Sequence, residues 1–452
     1  MTRSLFPEGP GMRHRVLAAL LLFGAIPALC QVEPSATGGT PAAEVDQPMD
    51  MPPPVSGAPY PSQTTSETKS NFVSFGVGAI TAYLDNVLIG LATKPVSDEM
   101  YSVFPVFTYN METPRQSRLF TYNSGYTFYQ HTTALNYVDQ AASGAFRERL
   151  TSHMVLNFSD AFVQSSGWLG QPSSASPVSG SASGQQQLVI APFANELTNT
   201  ANAGLSDQFA QNSMLGASFN SIILNFPNPS QVVGINDSQL YGGSAFFSQR
   251  LSHGDYAGAI YQIQRMTTSP TPSVNNVQTV WLYFTRYLSR TASLSVAVGP
   301  QFAVLSSPGA PAFHLWAPAA SLSLGWQAKR TNFALSYMHS EMPTVGFPGL
   351  FSNDTGTASV TQRLSRTWIA SASGSDGNFS NQDPHLLVGL PGGHNAMASA
   401  SIQHMMGPKL TTQFGYTHMH ESYSSLSTFT QNPNTNEVFV SVSYQFQKSI
   451  GR

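Results

Sequence analysis

The sequence predicts an all-β fold: a transmembrane, antiparallel, up-and-down β-barrel of sixteen to eighteen strands. Three observations predict it. Only 10% of the 452 residues are charged, against about 25% in an ordinary soluble domain. Mean hydropathy is nevertheless -0.10, and beyond the N-terminal segment no apolar run reaches the ~20 residues of a membrane-spanning helix. Instead, apolar residues alternate with Ser, Thr, Gly, Ala and Gln from about residue 72 to the C-terminus, the period of a strand with two unlike faces. The net charge of -3 gives no polyanion-binding signal, so no nucleic-acid partner is expected.

Residues 1–30 read as a signal peptide. Met12-Arg13-His14-Arg15 is a basic start, Val16 to Ala25 a short apolar run, and Ala28-Leu29-Cys30 a small-x-small cleavage site,. Cys30 is the only cysteine. Leu29 stands where a lipoprotein signal carries a small residue, so Cys30 is expected to leave with the signal rather than bear a lipid. The remaining chain then offers no disulfide, Cys-zinc site or Cys nucleophile. Residues 31–70 are rich in Pro, Ser, Thr and Gly, including Pro52-Pro53-Pro54. Such a segment buries too little to offset its ordering entropy and reads as a disordered periplasmic tail. Residues 71–452 form the barrel.

The last segment alternates most cleanly, with Val438, Val440, Val442, Tyr444 and Phe446 against Phe439, Ser441, Ser443 and Gln445. Segments 118–130, 292–304, 318–328 and 331–339 repeat the pattern, the third with Ala320, Leu322, Leu324 and Trp326 against Ser321, Ser323, Gly325 and Gln327. A soluble sandwich would also alternate, but its water face would carry Lys and Glu, whereas this one is small and uncharged. Tyr, Trp and Phe gather at segment ends, as interfacial girdles require. Connections alternate between short turns (Glu112–Arg115, Ser252–Asp255, Ala328–Thr331, Gly407–Lys409 among them) and longer polar loops (165–197, 225–239, 268–276, 305–317, 340–355, 376–393, 422–436). Short on one side and long on the other is the outer-membrane barrel pattern. An even strand count puts both termini in the periplasm. The turns count eighteen strands. The first is the least secure, because 84–99 contains Val87-Leu88-Ile89-Gly90, and sixteen strands with an N-terminal plug is the alternative. Lipid supplies no hydrogen bonds, so the first strand must close on the last.

Tyr101-Ser102-Val103-Phe104-Pro105, the spacing of Tyr122, Gly125, Tyr126, Phe128 and Tyr129, Leu364-Ser365-Arg366-Thr367, and the closing Val440-Ser441-Val442-Ser443-Tyr444-Gln445-Phe446 resemble the β-barrel porin family of the Gram-negative outer membrane. The resemblance covers most of 72–452 and implies outer-membrane localisation without catalytic residues. Many such barrels end on an aromatic residue that the barrel-insertion machinery reads. Here Tyr444 and Phe446 are the insertion-signal candidates, although six residues follow Phe446.

No enzyme or cofactor is expected. The chain has no G-x-S-x-G elbow, H-E-x-x-H, P-loop or dinucleotide fingerprint. Gly180-Ser181-Ala182-Ser183-Gly184 carries Ala at the nucleophile position. His394, His418 and His420 gather around the turn Gly407–Lys409, whose register sets His418 opposite Ala398 and His420 opposite Ala396. They share the phase of Leu410, Phe414 and Tyr416, so they read as interfacial histidines and no metal is expected. Arg265 and Asp160 also phase with apolar neighbours.

The polar phase supplies the pore-lining candidates Arg147, Gln262, Gln264, Gln301, Arg363 and Gln403. The constriction candidates are Leu188, Ile190 and Phe193, an apolar stretch in loop 165–197 that is poorly suited to water. A barrel of this size encloses water unless plugged. The expected function is passive diffusion of small polar solutes with weak ion selectivity. A non-channel barrel acting in polysaccharide export or surface binding is the alternative. Expected partners are outer-membrane lipid, lipopolysaccharide, the insertion machinery and small polar solutes. A homo-oligomer stays open, and no strand shows a distinctly flat, small-residue outer face.

Overall fold

The computed structural model describes residues 71–450 apart from 89–93, 166–194, 228–235, 253, 271, 290, 344–347, 384–391 and 424–433. The leader, the tail and the constriction candidates Leu188, Ile190 and Phe193 lie outside the described residues.

Eighteen strands follow one another in chain order. They are β1 (Phe72–Leu84), β2 (Asp98–Glu112), β3 (Gln116–Tyr129), β4 (Tyr137–Arg149), β5 (Met154–Ser165), β6 (Glu196–Ala210), β7 (Ser213–Asn225), β8 (Asp237–Arg250) and β9 (Asp255–Ser269). The circuit continues through β10 (Ser273–Ser289), β11 (Ala292–Ser306), β12 (Phe313–Gln327), β13 (Thr331–Pro343), β14 (Leu350–Arg363), β15 (Trp368–Asn381), β16 (Gly393–Met406), β17 (Leu410–Tyr423) and β18 (Asn434–Ser449). Each pairs antiparallel with its sequence neighbours. β1 pairs with β18 from Phe72↔Ser449 to Leu84↔Glu437, so the sheet has no free first or last edge. Because β1 is a full strand on both sides, the wall has eighteen strands and not sixteen.

The register sorts side chains into two faces. On β1, Ser74, Ile80, Ala82 and Leu84 are buried, while Phe75, Val77 and Tyr83 are exposed. Direct partners share a face across a ladder, and Phe75 meets Phe107 on one side and Phe446 on the other. The exposed face continues round the wall through Tyr122, Phe158, Leu282, Val298, Leu335 and Phe414. A belt of large apolar side chains that other parts of the chain leave uncovered is a lipid-facing surface. The inner face carries Ser, Thr, Gly and amide side chains, including the cross-strand hydroxyl pairs Ser218–Ser244 and Ser373–Ser399, both at 2.7 Å.

Two features depart from the sequence expectation. Strands run further toward the long connections than alternation suggests. β9 and β10 reach Ser269 and Ser273, so the loop expected over 268–276 shrinks to residues 270–272. Asn275 and Asn276 look like loop residues but stand in the ladder opposite Met266 and Arg265. The second departure forms the candidate site.

Candidate functional site

β12 and β13 are paired only between Ala320↔His339 and Gln327↔Asn332. Beyond that point β12 continues to Phe313 on β11 alone. β13 and β14 stay paired with each other, from Ser340↔Asn353 to Pro343↔Leu350, but their ends leave the wall and turn into the lumen. The contacts establish the inward turn. Gln301 of β11 faces inward, and its Nε2 donates to the Glu341 carbonyl at 2.7 Å while its Oε1 accepts from the Glu341 amide at 2.7 Å. The same Nε2 donates to Thr279 Oγ1 at 3.0 Å. Asn275 Nδ2 donates to the Gly349 carbonyl at 2.6 Å. Leu350 packs with Val277, Ala303 and Leu305, flanked by Phe313 and Leu315.

The sequence permits this because one alternating phase meets two environments. Tyr337 and His339 point outward from the wall. Glu341, in the same phase, lies behind β11 and meets its inner surface. Asn275 and Gln301 give that surface the donors and acceptors a strand end needs away from water. Gly349, which leads into β14, has φ +114°, a conformation that a side chain would strain.

A second inward element follows β1. Val87 is buried with Leu84, Met100, Tyr129 and Tyr137, and Leu88 packs beside them. It is tied by the Val87 amide to the Val96 carbonyl at 2.7 Å and by Asn86 Nδ2 to the Asn434 carbonyl at 3.1 Å. Asp98 anchors the neighbouring connection, accepting from the Thr132 amide at 2.7 Å and the His131 amide at 3.1 Å.

The lumen is therefore unequal along its length. Toward the long connections, inward Leu240, Met266, Leu350, Phe351, Phe379 and Met419 are no more than 2% exposed. The rings of Phe351 and Phe379 meet edge-on at 6.4 Å. Toward the short turns, inward Arg147, Arg363 and Ser373 are exposed. The inner face is therefore packed toward the long connections and open, with hydroxyl and guanidinium side chains, toward the short turns.

The pore-lining candidates distribute as follows. Arg147 faces inward opposite Ser117 and Asn157, and Arg363 faces inward opposite Ile369. Gln262 and Gln264 face inward opposite Thr279 and Val277, half-buried. Gln403 pairs with Gln413 and Ile369 on the inner face. Gln301 faces inward too, but it is 4% exposed because the β13–β14 end covers it. The candidates line different levels and form no single cluster. Sequence reasoning missed Asn275, Glu341, Leu350 and Phe351. The available signal was the run of apolar residues Met342, Val345, Phe347, Leu350 and Phe351 inside a stretch expected to be a polar loop.

The histidines lie on the outer face in the expected register, His418↔Ala398 and His420↔Ala396. His418 meets Asn436 at 2.8 Å, His420 meets Asn434 at 2.6 Å and His394 meets Asp376 at 2.6 Å. Asp160 and Arg265 also lie on this face. Asp160 accepts from Asn199 Nδ2 at 3.0 Å.

No protein-family model matches the chain, and no curated protein is matched. Among solved structures, OccAB4 of Acinetobacter baumannii is similar at TM-score 0.42 and 12% identity, over 84% of this chain and 99% of that one. OccK2 (OpdF) of Pseudomonas aeruginosa is similar at TM-score 0.42 and 9% identity, over 84% and 98%. OpdK of Pseudomonas aeruginosa, solved with vanillate, is similar at TM-score 0.40 and 9% identity, over 83% and 99%. At these values the likeness bears on neither substrate nor residue roles.

Proposed function

We propose that the protein is an outer-membrane channel for passive diffusion of small polar solutes. The observation that carries this reading is the pairing of a closed eighteen-stranded ladder with an apolar outer face and a hydroxyl- and amide-lined inner face. Lipid tolerates a sheet only when closed and apolar outside, and a cylinder of this strand number has a lumen wider than its own side chains fill. The short turns face the periplasm and the long connections face outward, where lipopolysaccharide surrounds the wall. Tyr444 and Phe446 serve the insertion machinery. Solutes pass by width and by successive weak hydrogen bonds to Ser, Thr and Gln, and the inturned β13–β14 end sets the width.

Planar-bilayer recording of the purified full chain tests this. Discrete open steps are expected, and Gln301→Leu should enlarge them by releasing the inturned end. The burial of Phe351 and Phe379 to 1% favours one second reading, a closed barrel acting in polysaccharide export or surface binding. Bilayers that stay silent for both proteins would establish that reading and end the channel proposal.

A further inference from the structure

Charge is sorted by sign along the barrel axis. Among the described residues, the inward-facing basic side chains are Arg147, Arg149, Arg250 and Arg363. They lie in the last three residues of β4, β8 and β14, against the short turns. Their faces follow from the ladders: Arg147 and Arg149 share the phase of Ser143, Arg250 that of Ser248, and Arg363 that of Thr355. The inward acids Asp98, Asp139, Glu196, Glu421 and Glu437 sit at the opposite ends of their strands, and Glu341 sits on the inturned end. Glu112 is the inward acid at the short-turn end. The rest of the chain exaggerates this division. From Phe72 onward, Lys94 and Arg265 are the only lysine or arginine in the long-connection half. The short turns carry Arg115, Lys329, Arg330, Arg366 and Lys409.

One acid is poised for an incoming partner. Glu437 is 7% exposed and faces inward opposite Leu84 and Thr417, and its carboxyl makes no hydrogen bond with the described residues. The desolvation of such a carboxyl is relieved by a donor or cation brought to it, or by a proton.

We propose that the lumen is a bipolar pore: an acidic outer zone in series with a basic inner collar, which rectifies ion current and favours net-neutral zwitterions over singly charged ions. This rests on the channel reading above. Strands of 12 to 17 residues separate the zones by roughly 30 Å, well beyond the ~10 Å screening length at 0.1 M salt. Each zone therefore acts on its own. The acidic zone gathers cations and the collar gathers anions. A voltage positive on the outer side drives each ion first through the zone that attracts it, and both accumulate. The opposite voltage depletes both. A lone cation meets a barrier at the collar and a lone anion at the mouth, whereas a zwitterion meets a complementary charge in each zone.

The test is the full chain in planar bilayers, recorded at both polarities in KCl. The current ratio at opposite voltages should be about two or more at 0.1 M and fall toward one at 1 M, where screening shortens to ~3 Å. The combined R147Q/R149Q/R250Q/R363Q protein should lose rectification and become cation-selective by reversal potential. The combined Arg→Lys protein, which keeps charge and guards against a folding defect, should retain rectification. In proteoliposomes, glutamine should enter faster than glutamate or lysine. Open steps with a linear current–voltage relation at 0.1 M would overturn the bipolar pore and leave the channel standing, as would rectification that survives the Gln substitutions. Glutamate or lysine outpacing glutamine would overturn the zwitterion preference. Silence would remove the channel and this inference together.

Discussion

The Gln301 side chain holds the Glu341 backbone from both sides, its amide nitrogen giving a hydrogen bond to the carbonyl and its oxygen taking one from the N–H, each at 2.7 Å. A side-chain amide thus replaces the strand neighbour that Glu341 lost when β13 left β12. Gln301→Leu strands both backbone groups away from water, at a cost of about 1–3 kcal/mol each while the end stays inturned. The expected result is release of the end, with larger single-channel conductance and a lower unfolding midpoint in denaturant.

Asn275 holds the other side of the inturned end through one bond to the Gly349 carbonyl. Asn275→Ala should cost ~1 kcal/mol and raise conductance less than Gln301→Leu. Because both residues act on the same paired ends of β13 and β14, the double substitution should add less than the two single effects combined. A double-mutant cycle on the unfolding midpoint checks this.

The apolar seat of the inturned end predicts a separate effect. Leu350 is 1% exposed among Val277, Ala303 and Leu305. Leu350→Ala should destabilise by about 2–5 kcal/mol, read as a lower temperature at which the folded barrel loses its compact gel mobility. Conductance should also become noisier, because the end retains its polar clasp but not its packing.

Gly299 marks a place where the backbone of β11 approaches β10. A Cβ there would lie 1.7 Å from the Val280 carbonyl oxygen, a backbone atom with no freedom to move aside. Gly299→Ala should block assembly of the folded barrel. Gly144→Ala, which meets nothing within 4 Å, should assemble normally. Heat-modifiable migration of the two proteins makes the comparison.

Phe446 tests the insertion signal apart from the ladder. It is 48% exposed on the outer face opposite Phe75, with Lys409 Nζ 5.4 Å from its ring centroid. Phe446→Ala should lower the amount of barrel assembled in cells while leaving refolding into detergent nearly unchanged, since isolated surface changes rarely exceed about 0.5 kcal/mol. Removing residues 447–452 strips the partners of Phe72–Ser74 and should impair both.

Much of this architecture was legible because alternation and turn chemistry are local. The turn at Gly407 alone fixed His418 opposite Ala398. The two faces followed from runs such as Val438–Phe446. The inturned end was illegible because nothing local distinguishes Glu341 on a wall strand from Glu341 behind one. Only the distant acceptors and donors of Gln301 and Asn275 make that position tenable. A flat outer surface was missed for a related reason. Gly356 and Ala358, Ala370, Ala372 and Gly374, and Ala396, Ala398 and Ala400 look unremarkable strand by strand. The ladders of β14, β15 and β16 set them side by side on the outer face.

β12 above Ala320 is tied along one flank only, and within that stretch Pro318 stands opposite Pro300, so the remaining tie includes a pair with no N–H on either side. Local opening begins where backbone hydrogen bonds are fewest. The amide protons of residues 313–317 and 319 are therefore the first in the wall to exchange with deuterated solvent, and this hem is where the cylinder starts to unstitch.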